Sequence, residues 1–223
     1  FPPLSEQQKI AKILTSVDEV IEKTQAQLDK LKDLKTGMMQ ELLTNGIGHT
    51  EFKDSPVGRI PAEWDVVKFK EIFSDYKYGP RFSSKDYHEQ GNVKTIRGTD
   101  LSRIGEISYQ NVPIAKLDED IVNLHALRDG DLVMITTADC GATAIFREQS
   151  IPFIASAYAI KLTPKDNVDS HFVTHFMQTS SAKKQVESFI RKGTVANLPG
   201  SDVMSITLAL PPIKEQQYIT EVL

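Results

Sequence analysis

Ten residues spaced alternately four and three apart constrain this chain more than any of its other features. Ile10, Leu14, Val17, Ile21, Thr24, Leu28, Leu31, Lys35, Met38 and Leu42 keep that spacing, and all but Thr24 and Lys35 are apolar. A 3.5-residue period is the seam of a coiled coil, where an underwound helix keeps one stripe facing a partner. The spacing predicts one helix over residues 5–45. Prolines stand just before it, Ser5 and Gln8 read as a capping box, and Asn45-Gly46 supplies a left-handed stop. About 41 residues rising about 1.5 Å each make a rod near 60 Å. The rest of the chain is too short to cover such a length, so the seam calls for a partner helix. Ile10, Leu14, Val17, Ile21, Leu28, Leu31, Met38 and Leu42 are the helix-pairing candidates.

The two ends of the chain repeat one another. Pro2-Pro3-Leu4-Ser5-Glu6-Gln7-Gln8-Lys9-Ile10-Ala11-Lys12-Ile13-Leu14 returns, 209 residues on, as Pro211-Pro212-Ile213-Lys214-Glu215-Gln216-Gln217-Tyr218-Ile219-Thr220-Glu221-Val222-Leu223. Seven of the 13 positions are identical, and Pro-Pro-x-x-Glu-Gln-Gln is richer than a helix cap demands. Residues 211–223 therefore read as the start of a second helix of the same kind. Gly46, Gly48, Pro56, Gly58 and Pro61 mark residues 47–62 as a linker. A globular domain follows over residues 63–210. Strand-like runs, Asp131–Thr137 and Thr143–Phe146, alternate irregularly with one helix predicted over about 170–191, from Phe172, Val173, Phe176, Met177, Val186, Phe189 and Ile190. That order favours α+β over a doubly wound sheet: a mixed globular domain attached to a long coiled-coil-type helix.

Chemistry-bearing motifs are few. The chain of 223 residues contains neither G-x-G-x-x-G nor G-x-x-x-x-G-K-[ST], so dinucleotide or triphosphate binding is not indicated. His171 and His175 could share a helix face but lack the Glu of H-E-x-x-H and an evident third ligand. Cys140 is the single cysteine and has no basic neighbour in sequence to activate it. No catalytic constellation and no metal site is expected. The lone cysteine, the lack of a long apolar run and the Phe-Pro-Pro start lead to a cytoplasmic expectation, with no membrane partner.

The net charge of −4 argues at face value against nucleic acid. Its distribution argues differently. Lys77, Arg81, Lys85, Lys94 and Arg97 stand against Asp86 and Glu89, and Lys183, Lys184, Arg191 and Lys192 against Glu187. Each island is net positive, while Asp118, Glu119, Asp120, Asp129 and Asp131 form an acidic stretch between them. Tyr76, Tyr78, Phe82 and Tyr87 interleave with the first island, and Gly193-Thr194-Val195-Ala196-Asn197 follows the second. Arg reads guanine, Asn reads adenine, and Lys, Ser and Thr reach phosphates or base edges. Arg81, Ser83, Lys85, Lys94, Arg97, Lys192, Thr194 and Asn197 are the DNA-binding candidates. Either island alone also fits an ordinary surface, since a basic helix end complements its own dipole. A coiled-coil scaffold whose globular domain binds only protein is the alternative.

Together these segments resemble the specificity subunit of type I restriction-modification enzymes. The resemblance rests on Pro-Pro-x-x-Glu-Gln-Gln, on Gln40-Glu41-Leu42-Leu43-Thr44-Asn45-Gly46 and on Gly58-Arg59-Ile60-Pro61-Ala62-Glu63-Trp64. Further along it rests on Ile96-Arg97-Gly98-Thr99-Asp100-Leu101, Gly130-Asp131-Leu132-Val133, Gly193-Thr194-Val195-Ala196-Asn197-Leu198 and Leu210-Pro211-Pro212. It covers essentially the whole chain. It implies a non-catalytic target-recognition domain that reads one half of a bipartite double-stranded DNA target. It implies helices that act as a spacer and dock methyltransferase (modification) subunits, with restriction subunits joining through the complex. S-adenosylmethionine, ATP and Mg would then reside on those partners. The long helix would pair with a second helical region of the same or another specificity chain. The order of segments is that of the second half of a full-length subunit, or of a half-length subunit that pairs with itself. Lys35 in the seam and Lys214 in place of Ser5 depart from the pattern.

Overall fold

The computed structural model describes residues 1–102 and 104–223. They divide into two units, residues 1–41 with Leu223, and residues 42–222.

The first unit is nearly all of α1 (Leu4–Asn45). Every residue from Ile10 to Met38 is exposed, Leu14, Ile21 and Leu31 to about 60%. The seam is therefore a bare apolar stripe. Thr24, one of its two polar breaks, donates its hydroxyl to Val20 O within the same helix at 2.8 Å. The start differs from the capping-box expectation. Glu6 N and Gln7 N both donate to Pro3 O, at 2.9 and 3.0 Å, so Pro3 supplies the first acceptor and Ser5 lies inside the first turn. Lys214 in place of Ser5 is thereby explained, because Glu215 N and Gln216 N make the same pair of bonds to Pro212 O.

The second unit is α+β, as its irregular strand order implies. The stretch read as linker contains a hairpin, β1 (Phe52–Ser55) with β2 (Gly58–Pro61). Then come β3 (Asp65–Lys68), α2 (Phe69–Ile72), β4 (Phe73–Tyr78), β5 (Val93–Ile96), β6 (Ile114–Ala115) and α3 (Glu119–His125). These lead to β7 (Leu132–Ile135), β8 (Thr143–Ile145), β9 (Phe153–Ala155) and β10 (Ala159–Pro164). The chain ends in α4 (Ser170–Gln178), α5 (Ser180–Phe189), α6 (Gly200–Val203), β11 (Thr207–Leu210) and α7 (Ile213–Val222). The main sheet is antiparallel in the order β4-β10-β7-β8, and a smaller one runs β6-β5-β9 with β5 and β9 parallel. β3 pairs with β11, which joins the start of the domain to its end.

Both predicted strand runs form, as β7 and β8. The single helix expected over 170–191 is two. Thr179 is extended (φ −69°, ψ 155°) and its Oγ1 accepts from Ala182 N, so it caps α5 and breaks the run. The apolar faces of both segments are still buried, through Phe172, Val173, Phe176 and Met177 on α4 and Ala182 and Val186 on α5. One core lies between the two sheets, where Ile96, Val133, Ile135, Phe146 and Phe153 pack together. A second, with Val93, Ala115, Leu117, Val122 and Ile154, receives Phe82.

Candidate nucleic-acid interface

One end of the main sheet collects loops from far apart in sequence. β4 leaves it at Tyr78-Gly79-Pro80-Arg81, β10 enters from the Ser156-Ala157-Tyr158 turn, and β7 passes to β8 through residues 136–142. A Cβ on Gly79 would lie 1.9 Å from Ala155 O and 2.4 Å from Ser156 O, so only glycine lets these backbones meet. The β7–β8 loop is fixed to the same turn, since Thr136 N and Oγ1 both donate to Tyr158 O, at 2.9 and 3.0 Å.

The second basic island joins at this point. Arg191 and Asn197 exchange backbone bonds of 2.9 and 3.2 Å, which close residues 191–197 into a loop with Gly193 and Thr194 at its tip. Asn197 bridges Thr137, Leu198 N donates to Thr136 O, and Ala138 N donates to Ala196 O. Ala138 adopts φ +66°, a left-handed conformation costly for a residue with a Cβ. Such strain is retained only where surrounding contacts over-determine it. Arg81, Lys192, Thr194 and Asn197 thus lie on loops at one end of the sheet, and all four are exposed.

The other four candidates are placed differently. Ser83 caps a short 3-10 turn (Ser84–Asp86), accepting from Lys85 N, while Asp86 accepts from Ser83 N. That turn leaves the Lys85 side chain exposed. Lys94 on β5 donates to Tyr109 O at 3.3 Å and lies 5.6 Å from the centre of the Phe153 ring. Arg97 follows β5 toward the same sheet end, but its guanidinium is committed. Nε and NH2 reach the two oxygens of Asp100 at 3.1 and 2.9 Å, and NH2 also reaches Asn111 O. Asp100, 4% exposed, also accepts Arg97 N at 2.8 Å. The hydrogen bond to this carboxylate is the chief cause that raises the Arg97 pKa.

Two more cations of the basic face bind inward. Lys77 Nζ donates to Leu124 O and the buried Lys161 to Ala126 O, each at 3.4 Å, so both serve the C-terminal end of α3, where its carbonyls lack helical partners. Lys161 also faces Asp75 at 3.4 Å. Burial, with Lys77 and Lys161 adding to it, lowers the His125 pKa. Burial likewise raises that of Asp131, whose carboxylate accepts Arg128 N. The nucleophile candidate Cys140 and the zinc candidate His171 have partners within the fold. Cys140 Sγ donates to Thr136 O and burial raises its pKa, while His171 bonds Arg147.

Sequence reading named Tyr78 beside the first island but missed Tyr158; they are exposed to 39% and 64% at the same sheet end. Tyr158 was recoverable, as the lone aromatic among Ala155, Ser156, Ala157 and Ala159. The left-handed Ala138 carries no sequence signal.

Exposed polar, aromatic and cationic side chains on loops fixed by a sheet, in a chain that also carries a long helix with a bare seam, fit a recognition module. Residues 61–223 match the family described as the type I restriction modification DNA specificity domain, and the chain belongs to that family. It is 29% identical to the type I restriction enzyme MjaVIII specificity subunit of Methanocaldococcus jannaschii, over 99% of this chain and 53% of the relative. It is 30% identical to the putative MjaX specificity subunit of the same organism (99% and 50%), and 22% to the EcoKI specificity subunit of Escherichia coli (98% and 48%). The chain spans about half the length of these relatives. The crystal structure of the HsdS subunit from Thermoanaerobacter tengcongensis shares the fold, with a TM-score of 0.65 at 19% identity over 100% of this chain and 50% of that one. A chain from a study of type I R-M complex assembly and conformational transition does so at 0.63 and 19%, over 100% and 51%. Among the described residues no helix is long and apolar enough to cross a membrane.

Proposed function

We propose that this chain is a non-catalytic DNA-reading module, in which the loops at the β4/β10/β7 end of the main sheet read one half of a bipartite duplex target. The observation that carries this reading is the convergence of the two basic islands, with Arg81 following β4 and Lys192, Thr194 and Asn197 bridged to the β7–β8 loop. The exposed α1 seam supports a second role. It pairs with another specificity helix and forms the spacer on which methyltransferase subunits dock. S-adenosylmethionine, ATP and Mg belong, on this view, to modification and restriction partners.

Methylation mapping of the complex reconstituted with modification subunits tests the proposal. Arg81→Ala or Asn197→Ala relaxes one half-site by about 1–3 kcal/mol if the contact is bidentate. Lys192→Ala weakens all sequences alike and lowers the salt slope by about one. An unchanged target and rate in all three variants refutes the assignment, and equal binding of specific and scrambled duplex favours a protein-only scaffold.

A further inference from the structure

The repeated Pro-Pro-x-x-Glu-Gln-Gln motif is made twice, and its two copies have different surroundings. In the second copy Glu215 receives three donors or donor-capable groups. Its Oε1 accepts Ile47 N at 3.2 Å and meets His49 Nε2 at 2.8 Å, while Oε2 accepts Trp64 Nε1 at 3.0 Å. Gln216, fully buried, does the converse with its two ends. Its Oε1 accepts Asp169 N at 2.8 Å, and its Nε2 donates to Asn167 O and Pro211 O at 3.1 and 2.8 Å. The order of the pair is chemically dictated. A carboxylate accepts from every side, whereas only an amide can accept one N–H and donate to two carbonyls. Gly46 completes the fit: at φ +65° its Cβ would lie 2.4 Å from Glu215 Oε1 and 2.8 Å from both His49 and Trp64.

The first copy has the same local build. Gln7 Nε2 donates to Pro2 O at 2.7 Å, as Gln216 does to Pro211 O, yet Glu6 and Gln7 are exposed. Nothing described around them requires that order.

We infer that the Glu–Gln pair of this motif is a latch that fixes where a spacer helix leaves a recognition domain, and hence the separation at which two half-sites are read. Glu215 and Gln216 are the positioning residues of the latch closed here. Glu6 and Gln7 are the open half of a second, whose occupant is a globular domain of the same build, offering an indole N–H, an imidazole and a backbone amide, outside residues 1–223. The inference rests on the DNA-reading function proposed above.

The test uses E215Q, Q216E and E6Q, nearly isosteric changes that reverse donors and acceptors. Each full subunit is reconstituted with modification subunits and assayed on duplexes carrying both half-sites, with the spacer varied one base pair at a time. E215Q and Q216E are expected to lose tenfold or more at the wild-type spacer and to gain at neighbouring lengths, with the half-site sequences unchanged. E6Q is expected to do the same. Trp64 is the only tryptophan of the chain, so a red-shifted emission in E215Q with unchanged far-UV circular dichroism reports an open latch in a folded domain. An unchanged spacer preference overturns the inference, whether or not the emission moves. A variant that loses its far-UV signal makes the pair a folding determinant and also overturns it. If the wild-type complex recognises no bipartite target, the DNA-reading function fails first and the latch with it.

Discussion

Arg97 is a DNA-binding candidate by sequence whose guanidinium is held by Asp100 in the structure, and a mutant series separates the two tasks. Its guanidinium holds both oxygens of the buried Asp100, which together with the Arg97 N–H closes the 3-10 turn after β5. Arg97→Ala removes two charge-assisted bonds and leaves a carboxylate, 4% exposed, with a backbone donor as its remaining protein partner among these three bonds. Breaking a fully buried pair costs about 3–5 kcal/mol. The Arg97 side chain is 44% exposed, so water reaches the vacated side and the expected loss falls to about 2 kcal/mol. For a unit of this size that is a fall in Tm of about 4–8 °C. Asp100→Asn should cost a similar amount, and the double variant R97A/D100N less than the sum of the two, by about 1 kcal/mol or more. Chemical denaturation of the four proteins measures this directly. Arg97→Lys keeps the charge but not the fork, and should behave like a partial Arg97→Ala. Additive losses within about 0.5 kcal/mol of wild type, together with a lost half-site in the methylation assay, would refute the structural role and return Arg97 to the DNA.

The bare seam predicts that Leu28→Glu leaves the unfolding of the globular unit within about 0.5 kcal/mol of wild type, as exposed substitutions do. The same change should abolish assembly with a partner helix in analytical ultracentrifugation. His125 supplies a pH dependence. Its folded pKa lies below the ordinary 6.5, so the unfolded chain takes up the proton first and stability falls as the pH drops below about 6.5. The contribution is bounded at about 1.4 kcal/mol per pH unit, and His125→Gln should flatten the denaturation midpoint between pH 5 and 7 by that component. Finally, Gly79→Ala should destabilise by about 1–3 kcal/mol or more through its clash with two backbone carbonyls, read as a loss in Tm.

Periodicity exposed the parts of the fold that periodicity builds. The long helix, the β7 and β8 runs and the α+β order follow from the spacing of apolar residues, and the 209-residue repeat announces α7. The break at Thr179 was not legible, because the apolar pattern is continuous across it and one hydroxyl cap decides the matter. The hairpin in residues 52–61 was hidden by the glycine and proline that make its turn. At the candidate interface, exposed loop residues such as Arg81 and Asn197 were found by type and neighbours. Their meeting at one sheet end depends on strand order, and above all on the Thr137–Asn197 bridge, which no local pattern encodes.

Counting cations along the chain overstates what is offered to phosphate. Of the first basic island, Lys77 satisfies a carbonyl at the end of α3, Lys94 a loop carbonyl beside an aromatic face, and Arg97 a buried carboxylate. Each of these charges offsets a local deficit of the fold, and drawing it toward DNA would expose that deficit again. Arg81, Lys85 and Lys192 form no ion pair among the described residues and are exposed. On the proposed function Arg81 contacts a base, so Lys85 and Lys192, with the exposed Lys183 and Lys184 on α5, leave at most about four phosphate contacts on a chain of net charge −4. The salt dependence is then modest, each contact adding a slope of about 0.9. A module built this way would, on that function, discriminate by the shape and hydrogen bonding of its loops. Most of the electrostatic attraction would, on the same proposal, come from the partner subunits. The acidic balance of the chain is thereby compatible with DNA reading, because it separates the work of discrimination from the work of attraction.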